Sequence, residues 1–510
     1  MRARFLQGPG PDVAILLLAL LLRVWLLEIK PPHFDEGING WFVDQMTATG
    51  YYRYDPTNYH GPLHFYALFL SQTLFGRELW ALRLPAILAS LAAVWALLRF
   101  REFFGTGVSR FAALAMALSP ACVFYGRYSI HESWQVLFSI LAMAGFLGMW
   151  QFGSRRAFFT LLAGVTGLIL TKETYVLHLG CMALAIPVLW LYQIIVPSRP
   201  AWPLAKQQWT ASHVLVGLGS ACLAIVFFYS GTFHDFSMLA GLVKTFEAWF
   251  ATGLQTGGHE KTSFDLWGPL NWYWISLLLR YEWPALLGLA SCIRYMAPSD
   301  ARLRYVAITA SGVLLAYSII PYKTPWCIIS MVWPFYLLLG GLLKELAGRF
   351  RQGIVWSFPV PVLAGSLAIC LNLNFRTFTD DSEPYVYVQT YGDVNWLVDP
   401  LLESVRRDPS LAGMTGIISL DSYYPLPWML GEFTRVGYYP KDAPPVRWDA
   451  DFLVIDSSRA AVIEPQLARP YHKIPFRLRS GQEECTAYLA SPLFDEILQR
   501  APNFQPGPER

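Results

Sequence analysis

The sequence predicts a polytopic α-helical membrane protein that ends in a soluble α/β domain. Of its 510 residues, 54% are hydrophobic and 15% are charged, whereas soluble proteins carry roughly 25% charged residues. About eleven apolar runs are long enough to cross a bilayer, which takes about 20 residues each. No such run occurs after residue 372. We therefore predict a transmembrane domain at 1–372 and a soluble domain at 373–510.

The predicted spans are regularly spaced along the first domain. They lie near 12–29, 80–99, 107–125, 133–152, 157–171, 174–195, 212–230, 271–291, 304–321, 326–346 and 354–372. A shorter apolar stretch at 62–75 is predicted to be an interfacial helix, because Pro62 suits the first position of a helix.

The basic residues set the predicted orientation. With a cytoplasmic N-terminus and a 62–75 segment that does not cross, every inner loop is short and carries Arg or Lys, as the positive-inside rule requires. Counting 62–75 as a span would invert the following loops. The first span lacks a small-residue cleavage site and is predicted to stay attached. The protein is thus expected in the inner or plasma membrane, with its C-terminal domain outside the cytoplasm.

The charge and the cysteines exclude other classes. A net charge of +3, with Lys and Arg spread between apolar runs, argues against nucleic acid as a partner. Six of the seven cysteines lie in or beside apolar runs and Cys485 is alone in the tail, so neither an internal disulfide of the tail nor a CxxC zinc site is expected.

Alternation and composition predict a small α/β fold for the C-terminal domain. We expect strands at 385–389, 416–420 and 451–455, with an amphipathic helix at 394–407.

The first candidates for chemistry are Asp35 and Glu36, which follow the first span directly. Carboxylates beside a bilayer are costly unless they face water, a cation or a substrate. One of them could act as a general base toward a hydroxyl or hold a divalent cation. The alternative is an acidic pair at a helix start in a solvated loop. No cofactor follows from the sequence, and a divalent metal is left open.

The predicted topology brings further polar residues to the same outer face. They include a pair of histidines in the first loop, a charged turn after the third span, a Lys-Glu pair after the fifth and a Tyr-Lys pair between two prolines: His60, His64, Arg127, His131, Glu132, Lys172, Glu173, Tyr322 and Lys323. Fixed cations there suit a lipid phosphate. The plainer interpretation is a snorkelling Arg127 and a simple Lys172–Glu173 ion pair.

Two sets of charged residues are harder to place. Arg280 and Glu282 fall inside the eighth span and are predicted to face the bundle interior as a pair. His234, His259 and Glu260 could bind a metal, but their Gly-rich loop is also typical of solvated polar residues.

Several motifs resemble the GT-C superfamily of membrane glycosyltransferases. They are Phe34-Asp35-Glu36, the His60 to His64 turn, Phe75-Gly76 with Leu82 to Pro85, and Thr171-Lys172-Glu173. The resemblance is nearest to the dolichyl-phosphate-mannose protein mannosyltransferase and aminoarabinose transferase branch. The Pro-Tyr-Lys-Thr-Pro-Trp stretch at 321–326 and the Tyr-Val-Tyr-Val-Gln stretch at 385–389 also resemble a prokaryotic flippase-activity-associated subgroup linked to archaeal glycosylation.

The resemblance implies roles for three residues. Asp35 corresponds to the catalytic first-loop aspartate of such enzymes, Glu132 to the second acidic residue and Lys172 to the lysine after the fifth span. The chain lacks the Trp-Trp-Asp-Tyr-Gly motif of oligosaccharyltransferases, which disfavours transfer of a whole glycan to asparagine.

The donor is expected to be a polyprenyl-phosphate-linked sugar, held in the membrane lipid by its tail. Sugar nucleotides are cytoplasmic and the inner loops are too short to fold a nucleotide-binding domain, so an outer site needs a donor delivered by lipid. The expected reaction is an inverting displacement in which Asp35 deprotonates an acceptor hydroxyl and Lys323, Arg280 or Arg127 offsets charge on the phosphate. The acceptor is a glycan, a lipid or a protein.

Two other functions remain open at this point. A transporter or flippase-associated component would move a lipid-linked sugar without chemistry, and buried Arg280 and Glu282 would serve it equally well. A scaffold would use the C-terminal domain to recruit partners.

Overall fold

The computed structural model describes residues 8–58, 60–199, 203–254, 272–482, 484–491 and 493–495. The chain forms two units. The helical unit comprises Met1–Leu27 and Thr49–Thr377, and the C-terminal unit comprises Glu28–Ala48 and Phe378–Arg510. The segment Glu28–Ala48, predicted as the first outer loop of the transmembrane domain, therefore belongs to the C-terminal unit by its contacts.

Within the described residues, helices α1 to α18 lie between residues 10 and 375, and three helices and five strands follow. The helices are α1 (Gly10–Val24), α2 (Phe34–Thr49), α3 (Leu63–Phe75), α4 (Leu79–Arg99), α5 (Arg101–Phe104), α6 (Thr106–Leu118), α7 (Pro120–Phe124), α8 (Glu132–Phe152), α9 (Arg155–Thr171), α10 (Tyr175–Ile195), α11 (Ala211–Tyr229), α12 (Gly241–Leu254), α13 (Tyr273–Arg280), α14 (Trp283–Met296), α15 (Ala301–Ile319), α16 (Ile328–Ala347), α17 (Gln352–Ser357), α18 (Pro359–Phe375), α19 (Asn395–Arg407), α20 (Leu426–Met429) and α21 (Ala460–Ile463). The strands are β1 (Thr415–Ser419), β2 (Arg435–Tyr439), β3 (Phe452–Asp456), β4 (Tyr471–Phe476) and β5 (Cys485–Ala490).

The fold class predicted from the sequence is confirmed, since apolar helices are followed by a small sheet domain. Every predicted span overlaps one helix or a pair of helices. Within the described residues, six helices are long and apolar enough to cross a membrane, or seven if the bent pair α6 and α7 is one span. α16 is almost wholly buried, whereas α11 buries only Gly217 and Tyr229. An exposed apolar helix of this length is suited to face lipid.

The predicted spans 107–125 and 271–291 are each divided into two helices, and Glu282 lies at both of these breaks. α6 and α7 meet at 60°, where Pro120 begins α7. The buried Glu282 carboxylate accepts hydrogen bonds from Ser119 Oγ (2.8 Å), the Ala121 N–H (2.8 Å) and Tyr336 Oη (3.0 Å). It thereby satisfies a free N–H at the start of α7. Glu282 itself separates α13 from α14.

The predicted pairing of Arg280 with Glu282 in the bundle interior is wrong. Arg280 is exposed at the end of α13, where its guanidinium lies 5.2 Å from the centre of the Tyr281 ring. The break between α13 and α14 turns the two side chains apart, so Glu282 is buried without it.

The C-terminal unit contains a five-stranded mixed sheet in the order β2-β1-β3-β5-β4. β1 pairs in parallel with β2 and β3, and β5 pairs antiparallel with β3 and β4. α19 packs its apolar face on one side of the sheet, where Leu397 and Leu401 meet Ile418 and Val454. β3 is the central strand of the sheet, and both of its faces are buried.

The predicted helix at 394–407 and the strands at 416–420 and 451–455 are confirmed as α19, β1 and β3. The predicted strand at 385–389 is wrong, because this stretch is irregular. Val388 has a φ of +47°, which is incompatible with an extended strand. β2, β4 and β5 were not predicted.

Within the C-terminal unit, α2 packs closely on its neighbours through two glycines. Gly37 lies against Pro425 and Gly40 against the Trp428 ring, and neither leaves room for a Cβ atom. The Phe34 ring meets Tyr424 edge-on, with centroids 5.9 Å apart. The helix that carries Asp35 and Glu36 is therefore positioned by close backbone packing.

We expect Gly40→Val to destabilise the C-terminal unit, because the added methyl groups overlap Trp428. Overpacking of this kind costs about 1–3 kcal/mol. Thermal unfolding of the purified chain, followed by proteolysis of the C-terminal unit, measures the effect. Gly392→Ala is the control, since a Cβ at Gly392 meets open space. Equal melting temperatures for the two variants would contradict the packing.

Candidate active site

The N-terminus of α2 is closed by reciprocal hydrogen bonds between His33 and the first turn. The His33 N–H donates to Glu36 Oε2 (2.9 Å), and the Asp35 N–H donates to His33 Nδ1 (3.1 Å). This is a capping box with histidine as the N-cap residue. His33 Nε2 lies 2.8 Å from the Tyr387 carbonyl oxygen and donates to it. His33 Nδ1 lies 3.9 Å from Asp35 Oδ2, which is too far for a hydrogen bond.

As a result, the adjacent carboxylates of Asp35 and Glu36 have different roles. Glu36 is fully buried and holds the helix start. The Asp35 side chain is 31% exposed, and its carboxylate oxygens accept no hydrogen bond within the part of the chain that the structure describes. Asp35 is thus the carboxylate of this pair that can reach a ligand.

In the helical unit, the central feature is a buried ion pair between Lys172 and Glu132. Lys172 follows the end of α9 and Glu132 begins α8, and their side chains are 6% and 4% exposed. Burial by itself would lower the pKa of Lys172, but the Glu132 carboxylate outweighs it and holds this pKa well above the usual value. Lys172 is therefore a fixed cation.

The predicted Lys172–Glu173 ion pair is wrong. Glu173 Oε2 instead lies 3.0 Å from His60 Nδ1. The Gly61 N–H donates to the Thr171 carbonyl at 3.0 Å, so the first-loop turn is bound to the end of α9. Gly61 is required there, because a Cβ would overlap the backbone of Leu170 and Thr171.

Three histidines meet beside these ion pairs. The His131 ring lies 4.6 Å from the His60 ring and 4.5 Å from the His64 ring, centre to centre. His64 Nε2 lies 3.4 Å from Ser129 Oγ. His131 Nε2 is buried without a hydrogen-bond partner among the described residues. Burial, together with His64 and His60, lowers the pKa of His131 well below 6.5, so the ring is neutral.

Among the described residues, no group of three His, Cys, Asp or Glu side chains is placed to hold a metal ion. His259 and Glu260, which the sequence put forward as metal ligands with His234, lie outside the described residues.

A pocket opens next to Lys172 in the helical unit. Its lining combines aromatic rings with hydroxyl, carboxylate, amine and imidazole groups: His60, Lys172, Glu173, Thr174, Trp249, Thr252, Trp274, Tyr317, Ile320, Tyr322, Thr324, Trp326 and Cys327. Flat apolar surfaces next to a few polar groups suit a ligand with both kinds of face, such as a sugar ring. Four predicted site residues are thus brought together, namely His60, Lys172, Glu173 and Tyr322.

Sequence reasoning missed the aromatic walls of this pocket. Trp249, Trp274 and Tyr317 come from α12, α13 and α15, and no local motif distinguishes them from the other aromatic residues of the spans. Trp326 belongs to the Pro-Tyr-Lys-Thr-Pro-Trp stretch and could have been found there.

Arg127 is occupied by backbone carbonyls. It ends a short 3-10 turn and is fully buried. Its two Nη atoms donate to the carbonyls of Leu22 (3.0 Å), Trp25 (2.6 Å) and Leu26 (2.7 Å). These carbonyls lie at and just after the end of α1, where backbone acceptors lack helical partners. Arg127 thus terminates α1.

Lys323 likewise donates to backbone carbonyls at the end of a helix, here α15. Its Nζ donates to the carbonyls of Ser318 (3.1 Å) and Ile320, and burial lowers the pKa of Lys323 to about 8. The side chain does not line the pocket, although its neighbour Tyr322 does.

A comparison with protein families matches part of the helical unit. Residues 59–219 match the family model described as dolichyl-phosphate-mannose-protein mannosyltransferase. A comparison with curated protein sequences found no match.

Two crystal structures of ArnT from Cupriavidus metallidurans share the fold. The structure bound to undecaprenyl phosphate aligns with a TM-score of 0.54 at 15% identity, covering 95% of this chain and 99% of ArnT. The apo structure aligns with a TM-score of 0.53 at 15% identity, covering 93% and 96%. The chain therefore shares its fold with ArnT, as the resemblance in the sequence implies.

We expect Lys172→Met to destabilise the helical unit, because it leaves the Glu132 carboxylate buried without a partner. Loss of one member of a buried ion pair costs about 3–5 kcal/mol. The double variant Lys172→Met, Glu132→Gln should recover part of this loss, and a double-mutant cycle of unfolding in detergent measures it.

The exposed pair Arg99–Glu102 is the control for this cycle. Its coupling is expected to stay below about 1 kcal/mol. Equal coupling for the two pairs would contradict the structural role of Lys172–Glu132.

We expect the helical unit to lose stability as the pH falls from about 7 to 5. His131 stays neutral when folded, whereas an unfolded histidine binds a proton below about pH 6.5. The unfolded state then holds more protons, and the unfolding free energy falls by up to ~1.4 kcal/mol per pH unit. His131→Asn should reduce this slope. Equal slopes in the wild-type protein and in His131→Asn would contradict a buried neutral His131.

Proposed function

We propose that this protein is a membrane glycosyltransferase that moves a sugar from a polyprenyl-phosphate donor to an acceptor hydroxyl on the outer face of the membrane, with inversion. The observation that carries the proposal is the Asp35 carboxylate, exposed and without a hydrogen-bond donor at the capped start of α2. The GT-C fold and the mannosyltransferase family match support the reaction class.

The proposed reaction is a single displacement at the anomeric carbon of the donor sugar. Asp35 accepts the proton of the acceptor hydroxyl, and the hydroxyl oxygen attacks the anomeric carbon of the donor sugar. The bond from that carbon to the phosphate oxygen breaks, and polyprenyl phosphate leaves with the electron pair. Phosphate is a good leaving group, so no general acid is needed.

The pocket beside Lys172 in the helical unit is proposed to bind a sugar ring. Trp249, Trp274 and Trp326 offer flat apolar faces, and Glu173 and His60 offer hydrogen-bonding groups toward hydroxyls. Lys172 is neutralised by Glu132, and this favours a role in shaping the pocket over binding a phosphate. The bound undecaprenyl phosphate in one ArnT structure supports a lipid-phosphate donor for this chain.

Two of the three cations predicted to stabilise the leaving phosphate, Arg127 and Lys323, donate to backbone carbonyls. Arg280 is exposed at the end of α13 and stays a candidate for this role. Further cations of the chain are therefore candidates as well.

We expect Asp35→Asn to abolish sugar transfer while binding of undecaprenyl phosphate is retained, because the amide cannot accept the hydroxyl proton. Cells that lack the protein are complemented with each variant. Mass spectrometry of their glycolipids and glycoproteins then shows whether a sugar is missing. Asp44→Asn, at the other end of α2, is the matched control with normal transfer.

Undiminished sugar transfer by Asp35→Asn would contradict the assignment of Asp35 as the catalytic base. Normal transfer would also be the expected result for a transporter or a scaffold, so the same experiment separates the enzyme from both of these alternatives.

A further inference from the structure

Arg479 is a buried cation whose hydrogen-bonding capacity is not used. It belongs to the C-terminal unit and is 7% exposed. Its guanidinium lies 4.2 Å from the centre of the Phe34 ring. Phe34 is the residue before Asp35 in the sequence. Its Nη1 has no hydrogen-bond partner among the described residues.

Two other buried arginine nitrogens also lack a partner within the described residues, Arg101 Nε and Arg127 Nε. Both of those guanidinium groups bond through other nitrogens, Arg101 to Asp12 and Arg127 to the carbonyls after α1. The Arg479 guanidinium forms no hydrogen bond or ion pair in the described part of the chain. A buried N–H without a partner is costly, so Arg479 is placed to receive an acceptor from a ligand.

The surroundings of Arg479 favour an anion. Burial lowers the pKa of Arg479 to about 10, and the charge of Asp35 partly offsets this, so the guanidinium stays protonated at neutral pH. Asp35 is near enough for this effect but forms no ion pair with it.

We propose that Arg479 binds a phosphate oxygen of the lipid donor, so that the C-terminal unit supplies the cation that stabilises the departing phosphate. This inference rests on the proposed function. When the bond from the anomeric carbon to the phosphate oxygen breaks, the electron pair moves to that phosphate, and the guanidinium offsets the added charge. Asp35, one residue beyond Phe34, takes the proton from the acceptor.

Binding of lipids to the full chain in nanodiscs tests the proposal without a transfer assay. The probes are undecaprenyl phosphate, undecaprenol and inorganic phosphate. We expect Arg479→Met to weaken undecaprenyl phosphate binding at least about tenfold, as for the loss of a charge-assisted hydrogen bond. Undecaprenol binding should not change, and Arg479→Lys should lose less because it keeps the charge.

Arg459→Met is the matched control. Arg459 also stacks on an aromatic ring of the C-terminal unit, 5.4 Å from the centre of Trp448, but donates to Ser419 Oγ. Its replacement should leave the binding of undecaprenyl phosphate unchanged. Melting temperatures of the variants report folding, and Arg479→Lys serves as the second variant if Arg479→Met does not fold.

Unchanged binding of undecaprenyl phosphate by Arg479→Met and Arg479→Lys would overturn the proposal. Inorganic phosphate that binds as tightly as the lipid, with the same dependence on Arg479, would overturn the assignment to the lipid donor. If Asp35→Asn is inactive while Arg479→Met binds normally, only this inference fails. If Asp35→Asn transfers sugar normally, the proposed function fails whatever Arg479 does.

Discussion

A charge that is buried among apolar helices must find its partners inside the protein, and this constraint shapes the helical unit. Arg127 bonds to the carbonyls after α1, Lys323 to those after α15, and Glu282 to the start of α7. Each charge lies at a helix end, where backbone groups lack helical partners. Charges that resemble substrate-binding groups in the sequence thus stabilise the ends and breaks of helices.

The ion pair of Lys172 with Glu132 follows the same rule but has a wider effect. It joins the end of α9 to the start of α8, while the neighbouring Glu173 holds His60 and the backbone of Thr171 holds Gly61. The first-loop turn and the loop after α9 are thereby fixed together. The aromatic pocket opens beside this junction, so its polar side is rigid before any ligand binds, and preorganisation of this kind favours both binding and catalysis.

The segment that carries Asp35 depends on the C-terminal unit in the same way. Its two glycines allow α2 to approach Pro425 and Trp428 closely, and His33 is held by the Tyr387 carbonyl. If Arg479 binds the donor phosphate as we propose, the C-terminal unit both positions the base and supplies a cation. The C-terminal domain would then be part of the catalytic machinery.

The sequence by itself determined the apolar spans, α19, β1 and β3, because hydrophobic length and periodicity are local properties. It also identified Asp35, Lys172 and Glu132 through motifs. Only the tertiary structure decided the partners: that Lys172 pairs with Glu132 and not Glu173, that Glu36 caps α2 while Asp35 stays accessible, and that 385–389 is not a strand. Arg479 lies 444 residues after Asp35 in the numbering, and no local pattern relates them. Ion pairs, caps and strand partners join residues distant in sequence, so they are settled only when the chain has folded.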